Sequence, residues 1–484
     1  MIGDSPPALN REPALNREPA LNREQTLNRE PGSNREAVHP WGLVTTRQRC
    51  RVLGKAAAKW VQRTEVLCER SASDQRIDPV ETLTAEILPL AACLRWLGRR
   101  GHRVLADRKA GVWGRPPWLW GVRHRIRRVA HGRVLVIGTW NYPLFLTGAQ
   151  VATSLAAGNQ TFIKPAPGSE AATAELADVL WSAGVPEASL RVLDSSVDAA
   201  QQRMRDGVEL VVLTGASETG RAVMRTCAET LTPTIIEAGG CDAVLVLESA
   251  DPKRVAQMLR FGLMLNSGAT CIGPRRILVP SSIEAALTNA IRDAFADAQA
   301  LQVHPAARQS AVDTLDLAAA AKLSCLIGSS DARSLRETGT MPATVIQGVT
   351  PEMEIAKRDV FAPIASLLRY KHIDEAVQAV NDCPYGLAAS VLGDRREAER
   401  VAASLNVGAV TINDIVVPTA DPRVPFGGRG HSGHGVTRGV EGLLAMTRVQ
   451  TIATRRTNWL PHLQPRREGD LKMLTKVAKM LYRS

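Results

Sequence analysis

Short runs of aliphatic and β-branched residues recur through the middle of the chain, at 133–138, 160–164, 209–214 and 243–247, each ending near a Gly, a Pro or an acidic residue. Apolar runs of that length without a polar face read as strands buried on both sides. Helix-like stretches such as 168–183 and 218–231 separate them. Strands alternating with helices predict βαβ units, hence an α/β fold whose parallel sheet is covered on both faces. Ligands of such a sheet bind beyond the carboxyl ends of its strands.

Both ends of the chain break this pattern. Residues 7–36 are five tandem hexads, beginning with Pro7, Ala8, Leu9, Asn10, Arg11 and Glu12. With at most one leucine per hexad they cannot form a core, and the recurring proline prevents a long helix. Residues 1–40 are therefore expected to be a disordered leader; a short binding motif repeated for avidity is the functional alternative. At the other end, Leu471, Leu474, Ala478 and Leu481 share one helical face, with Lys472, Lys476, Lys479 and Arg483 mostly elsewhere. Such a basic amphipathic helix either makes a peripheral membrane contact or docks on its own or a partner subunit.

Composition narrows the function classes. At 484 residues, 45% apolar and 22% charged, the chain has the make-up of a soluble globular protein with more than one core. No apolar run reaches the roughly 18 residues of a membrane-spanning helix. The net charge of +12 invites a nucleic-acid partner until it is located. Residues 99–133 hold eleven Lys or Arg against one acidic residue, and residues 455–484 hold eight against two, leaving the rest slightly acidic. No helix-turn-helix, zinc-finger spacing or aromatic-rich RNA motif accompanies those segments, so no nucleic acid is expected. The eight cysteines contain no Cys-x-x-Cys pair, which argues against a metal site, and no secretory signal opens the chain. A reducing cytoplasmic setting, with free thiols, is the expectation.

Three segments carry candidate chemistry. Gly138–Pro143 follows the first strand, and Pro143 biases Tyr142 to an extended conformation, leaving the Asn141 amide as a donor at the sheet edge. Gly215–Gly220 follows another strand, where Gly215 permits close backbone approach and Ser217 is placed to cap the next helix, whose free N–H groups suit a pyrophosphate. Glu237 ends an apolar run before two glycines and is expected to be half-buried, with the raised pKa of a general base. Thirty residues or so later, Cys271 lies among small residues that leave its sulfur reachable, unlike Cys68 and Cys93 in helical apolar patterns.

In order and spacing these segments resemble the aldehyde dehydrogenase superfamily. The resemblance runs from about Trp41 to Leu460 and includes Trp140 to Pro143, Ala157 to Asn159, Lys164 with Pro165, Gly215 to Gly220, Glu237 to Gly240 and Cys271 with Pro274 and Arg276. It continues through Phe361 to Pro363, Asn381 with Tyr385 to Ala388, Gly408 with Asn413, Pro425 to Gly428 and Ser432 with Gly433. The short portion before Trp140, and Tyr142 itself, look most like the class-3 and coniferyl or fatty aldehyde branch. The resemblance implies a Rossmann-like NAD(P)-binding domain over 41–236 with a return segment near 421–450, an α/β catalytic domain over 237–420, and a basic tail over 451–484. It also implies a homo-oligomer, with a dimer favoured.

The family's chemistry then falls on Cys271 as nucleophile, Asn141 as oxyanion donor and Glu237 as the base that hydrolyses a thioester. NAD or NADP would contact Trp140, Lys164, Gly215, Ser217, Gly220, Asp359 and Phe361. Family members that prefer NAD often carry a glutamate where this chain has Pro167, so a 2′-phosphate would not be repelled and Lys164 could attract it. Asp359 stands where a glutamate is usual, and Ala238, Ala269 and Ala362 replace a common Leu, Gln and Gly. Trp140 and Phe361 are the aromatics expected near the aldehyde. A noncatalytic scaffold on the same fold is the alternative, against which the intact Cys271, Glu237 and Asn141 count.

Overall fold

The computed structural model describes residues 40–73, 76 and 78–482, and the hexad leader lies outside the described residues. Strands Leu190–Val192, Gln160–Lys164, Arg133–Ile137, Leu210–Gly215 and Thr234–Ala238 lie side by side, all parallel, and Gly433–His434 adds an antiparallel edge next to Thr234–Ala238. Alternate residues of these strands feed two different cores. Val134, Val136, Ile163 and Val212 join the N-terminal helices and helix Phe145–Ala157 around Trp60, Leu90 and Leu155. Leu135, Ile137, Phe162, Val211 and Leu213 pack with Val223 and Cys227 on the opposite face. Burial on both faces is why the runs carry no polar alternation.

The helices between the strands are slightly shorter than the pattern predicts. Gly168 turns at φ +82° before helix Glu170–Ala183, and helix Ser217–Ala228 stops ahead of Leu231, whose φ is +55°. A second sheet takes up the chain from Ala243. Its order is Cys325–Ile327, Thr344–Ile346, Ile364–Tyr370, Arg276–Pro280, Ala243–Val246, Ala388–Leu392 and Ala409–Ile412, with only the first strand antiparallel. Residues 239–242 connect the two sheets, so Glu237 sits at the seam.

A third, antiparallel sheet of Arg108–Lys109, Val122–Ala130 and Thr447–Arg455 absorbs much of the first basic segment. Position 451, where the resemblance starts the basic tail, lies inside strand Thr447–Arg455 of this sheet. Helix Asp470–Leu481 has no buried residue, and Leu471 and Met480 are exposed. It is not docked on the core of its own chain.

Candidate active site

The loop after strand Arg133–Ile137 is pinned from below. Glu86 is fully buried, pairs with Arg76, and accepts from the backbone N–H groups of Leu144 at 2.7 Å and Phe145 at 3.0 Å. Arg76 also donates to the Asn141 carbonyl, which accepts from Asn266 Nδ2 at 2.8 Å. The Asn141 side chain is buried; its Oδ1 accepts from Thr139 Oγ1 at 2.7 Å and its Nδ2 donates to the Ala269 carbonyl at 2.9 Å. Contrary to the sequence expectation, the amide is not free. One of its two N–H groups anchors the loop that carries Cys271, and the second is left for another acceptor.

That loop is wound tightly. Asn266, Ser267 and Gly268 have φ of +49°, +52° and +77°, and a Cβ on Gly268 would lie 2.3 Å from Pro363 N. The buried Arg275 guanidinium closes it, donating from Nη2 to the Gly268 and Thr270 carbonyls at 2.7 and 3.0 Å and from Nη1 to the Ala362 carbonyl at 3.0 Å. Tyr142 Oη lies 2.6 Å from Thr270 Oγ1. The result is a half-buried Cys271 at the wall between two cavities. It is the one residue that lines both. Burial, and then the carboxylates of Glu237, Asp242 and Asp359, push its thiol well above the ordinary range, while Arg438 opposes them.

Glu237 lies within strand Thr234–Ala238 and is fully buried, not half-buried as its place before two glycines suggests, because Gly433–His434 covers the strand's edge. Its Oε2 accepts from Thr437 Oγ1 at 3.0 Å, and its Oε1 has no hydrogen-bond partner. Burial raises its pKa; Arg438 and the Thr437 hydroxyl draw it down.

The first cavity is a cleft of about 520 Å³ at the carboxyl ends of the first sheet's strands. Trp140, Asn141, Lys164, Gly215, Ser217, Glu237, Asp359 and Phe361 all line it. Trp140 stacks on His304 with centroids 3.9 Å apart and leans on Phe361. Lys164 is buried, which lowers its pKa, and it makes no ion pair within 4 Å among the described residues. Two cofactor candidates do something other than expected. Ser217 does not cap helix Ser217–Ala228, because Ala216 holds the cap position and Ser217 Oγ donates to the His431 carbonyl at 2.7 Å. Gly220 lies inside that helix, where a Cβ would meet Ile236 at 2.8 Å, so it seats helix on sheet.

The cleft suits a nicotinamide dinucleotide. A helix N-terminus opens on it beside Gly215, Asp359 Oδ1 is buried without a partner, and a Cβ on Gly239 would lie 1.9 Å from Asp359 Oδ2. Burial raises the Asp359 carboxyl to about 7, with Arg275 opposing.

The second cavity, about 290 Å³, is lined by Tyr142, Phe145, Leu146, Phe261, Phe426 and Arg438 among others. Trp140 and Phe361 line the cleft, on the other side of Cys271. Arg76, Glu86, Arg275, Thr437 and Arg438 carry no motif of their own; each acts on a partner at least five residues away in sequence.

Comparison with known proteins follows the same lines. The profile of the aldehyde dehydrogenase family matches residues 19–452. A Pseudomonas aeruginosa protein named as a probable coniferyl aldehyde dehydrogenase is 30% identical, over 77% of this chain and 79% of its own. A Mycobacterium bovis protein named as a putative NADP(+) succinate-semialdehyde dehydrogenase is 30% identical over 77% of this chain and 73% of its own. The crystal structure of a Mycobacterium tuberculosis aldehyde dehydrogenase complexed with NAD+ superposes with a TM-score of 0.78 at 24% identity, covering 87% of this chain and 88% of that one.

Proposed function

The chain belongs to the aldehyde dehydrogenase family, and on that premise we propose how its residues divide an NAD- or NADP-dependent oxidation of an aldehyde to the carboxylic acid. The observation that carries this reading is Cys271 at the wall between the two cavities, with Glu237 and Asn141 lining the cleft side. The aldehyde approaches through the apolar cavity and the cofactor through the cleft. As the Cys271 sulfur bonds to the carbonyl carbon, the thiol proton passes to water in the cleft and the carbonyl oxygen gains charge. The second N–H of Asn141 Nδ2 and the Cys271 backbone N–H receive that charge. A nicotinamide dinucleotide supplies the hydride acceptor when bound, held by Trp140, Lys164, Gly215, Asp359 and Phe361. The acyl group is then a thioester on Cys271. Glu237 Oε1 takes a proton from water as the water oxygen attacks, and acid and thiol are released.

Pro167 and Lys164 both line the cleft, and Pro167, three residues after Lys164, stands where a carboxylate would exclude a 2′-phosphate. NADP is expected to support turnover with kcat/KM within about tenfold of NAD, measured by reduced-nicotinamide absorbance across an aldehyde panel; a preference for NAD of about a thousandfold would overturn this.

Placement near the coniferyl and fatty aldehyde branch, in the cytoplasm and as a homodimer belongs to the same proposal. The segment joining strands Arg108–Lys109 and Val122–Ala130 of the three-stranded sheet leaves Trp113 at 96% and Trp120 at 68% exposure, a surface that suits a second subunit. No described helix is long and apolar enough to cross a membrane. The undocked helix Asp470–Leu481 is available for a partner subunit or a peripheral membrane contact. The full chain and a variant ending at 465 are compared by sedimentation and by flotation with anionic vesicles. Loss of flotation on truncation supports membrane contact, and unchanged vesicle binding removes it.

A further inference from the structure

The cavity on the aldehyde side of Cys271 is mostly apolar, with the hydroxyls of Thr84, Tyr142, Thr270 and Thr419 in its lining, and Arg438 is its one charged lining residue among the described residues. This side chain is 5% exposed, lies against the ring faces of Phe145 and Phe426 at 5.2 and 4.5 Å, and donates from Nη1 to the Thr419 carbonyl at 2.7 Å. Its Nε is buried with no hydrogen-bond partner, and no carboxylate lies within 4 Å of it among the described residues. A buried guanidinium is costly unless an anion and further acceptors complete it. Glu237 offsets the charge at longer range, but its hydrogen bond goes to Thr437. The Arg438 backbone, at φ +61° and ψ 173°, occupies a region otherwise nearly confined to glycine.

Resting on the oxidation reading above, we propose that Arg438 determines specificity by receiving a carboxylate at the far end of the aldehyde, so that the preferred substrates are short ω-oxo carboxylates. One cation in a wall with no other charged side chain among the described residues matches one negative charge, and its planar fork matches a carboxylate. The cavity, about 290 Å³, is at the small end for ligand sites, which limits the chain between the two groups.

The test compares kcat/KM for a short ω-oxo carboxylate and its methyl ester in the wild type, Arg438→Met and Arg438→Lys. The wild type is expected to favour the acid by about tenfold or more, the worth of one charge-assisted hydrogen bond. Arg438→Met should lose that ratio through a raised KM for the acid, and Arg438→Lys should keep part of it. The ratio is the readout because removing the cation also raises the Cys271 thiol and slows both compounds. Should Arg438→Met not fold, the wild type alone decides: the dicarboxylate product is expected to inhibit more strongly than its monoester. Equal treatment of acid and ester by the wild type, or a preference that survives Arg438→Met, overturns the assignment. Acid and ester oxidised alike would remove only the substrate class, whereas no reduced cofactor from any aldehyde would remove the oxidation reading itself.

Discussion

Replacing Cys271 with alanine is expected to lower aldehyde-dependent formation of reduced nicotinamide by on the order of 10⁴-fold or more, the scale on which loss of a nucleophile acts. No other thiol can substitute. Cys271 alone lines both cavities; Cys241 is buried with its sulfur donating to the Ala356 carbonyl at 3.3 Å, and Cys93 is buried in the N-terminal helical core. The loop itself should survive, since Arg275, Asn141 and Asn266 hold its backbone and none of them bonds the sulfur. Denaturant unfolding is therefore expected to shift by no more than about 1 kcal/mol. Substantial residual turnover in Cys271→Ala would refute the assignment.

Glu237→Gln is expected to separate the two halves of the reaction. If Glu237 serves hydrolysis, the variant still forms the thioester, so one equivalent of reduced cofactor per site appears rapidly and steady turnover then falls by about 10²–10⁴-fold. A quenched-flow trace would show that burst; a variant with no burst and unchanged turnover would exclude the role. The pH dependence follows from burial. The Glu237 carboxyl is raised above that of a surface glutamate, so it protonates at a higher pH on the way down, and wild-type turnover is lost as pH falls through that raised value. The acid limb should vanish in Glu237→Gln. Gln keeps the size of the side chain and can still accept from Thr437, so the limb reports ionisation and not packing.

Strand positions were legible in the sequence because burial on both faces leaves a continuous apolar run, and runs such as Gln160–Lys164 need no knowledge of their neighbours. The sites of Cys271, Glu237 and Asn141 were legible for a related reason, since each sits beside glycines or prolines that mark a turn at a strand end. Helix ends and the start of the tail were read less well. They are decided by pairing across long distances, as when Thr447–Arg455 finds Val122–Ala130.

What a local pattern could not carry was the surroundings of each group. The Asn141 amide is half committed because Ala269, far along the chain, offers a carbonyl. Glu237 is fully buried because residues 433–434 return to cover its strand. Arg438 lines the second cavity, its unusual backbone turn placing the guanidinium against the rings of Phe145 and Phe426. The sequence by itself determined the α/β plan and singled out Cys271, Glu237 and Asn141 as candidates, since apolar periodicity and turn chemistry are local. Only the tertiary structure decided their burial, their charge balance and the shape of the two cavities that meet at Cys271, because desolvation and Coulomb energy depend on distance through space and not along the chain.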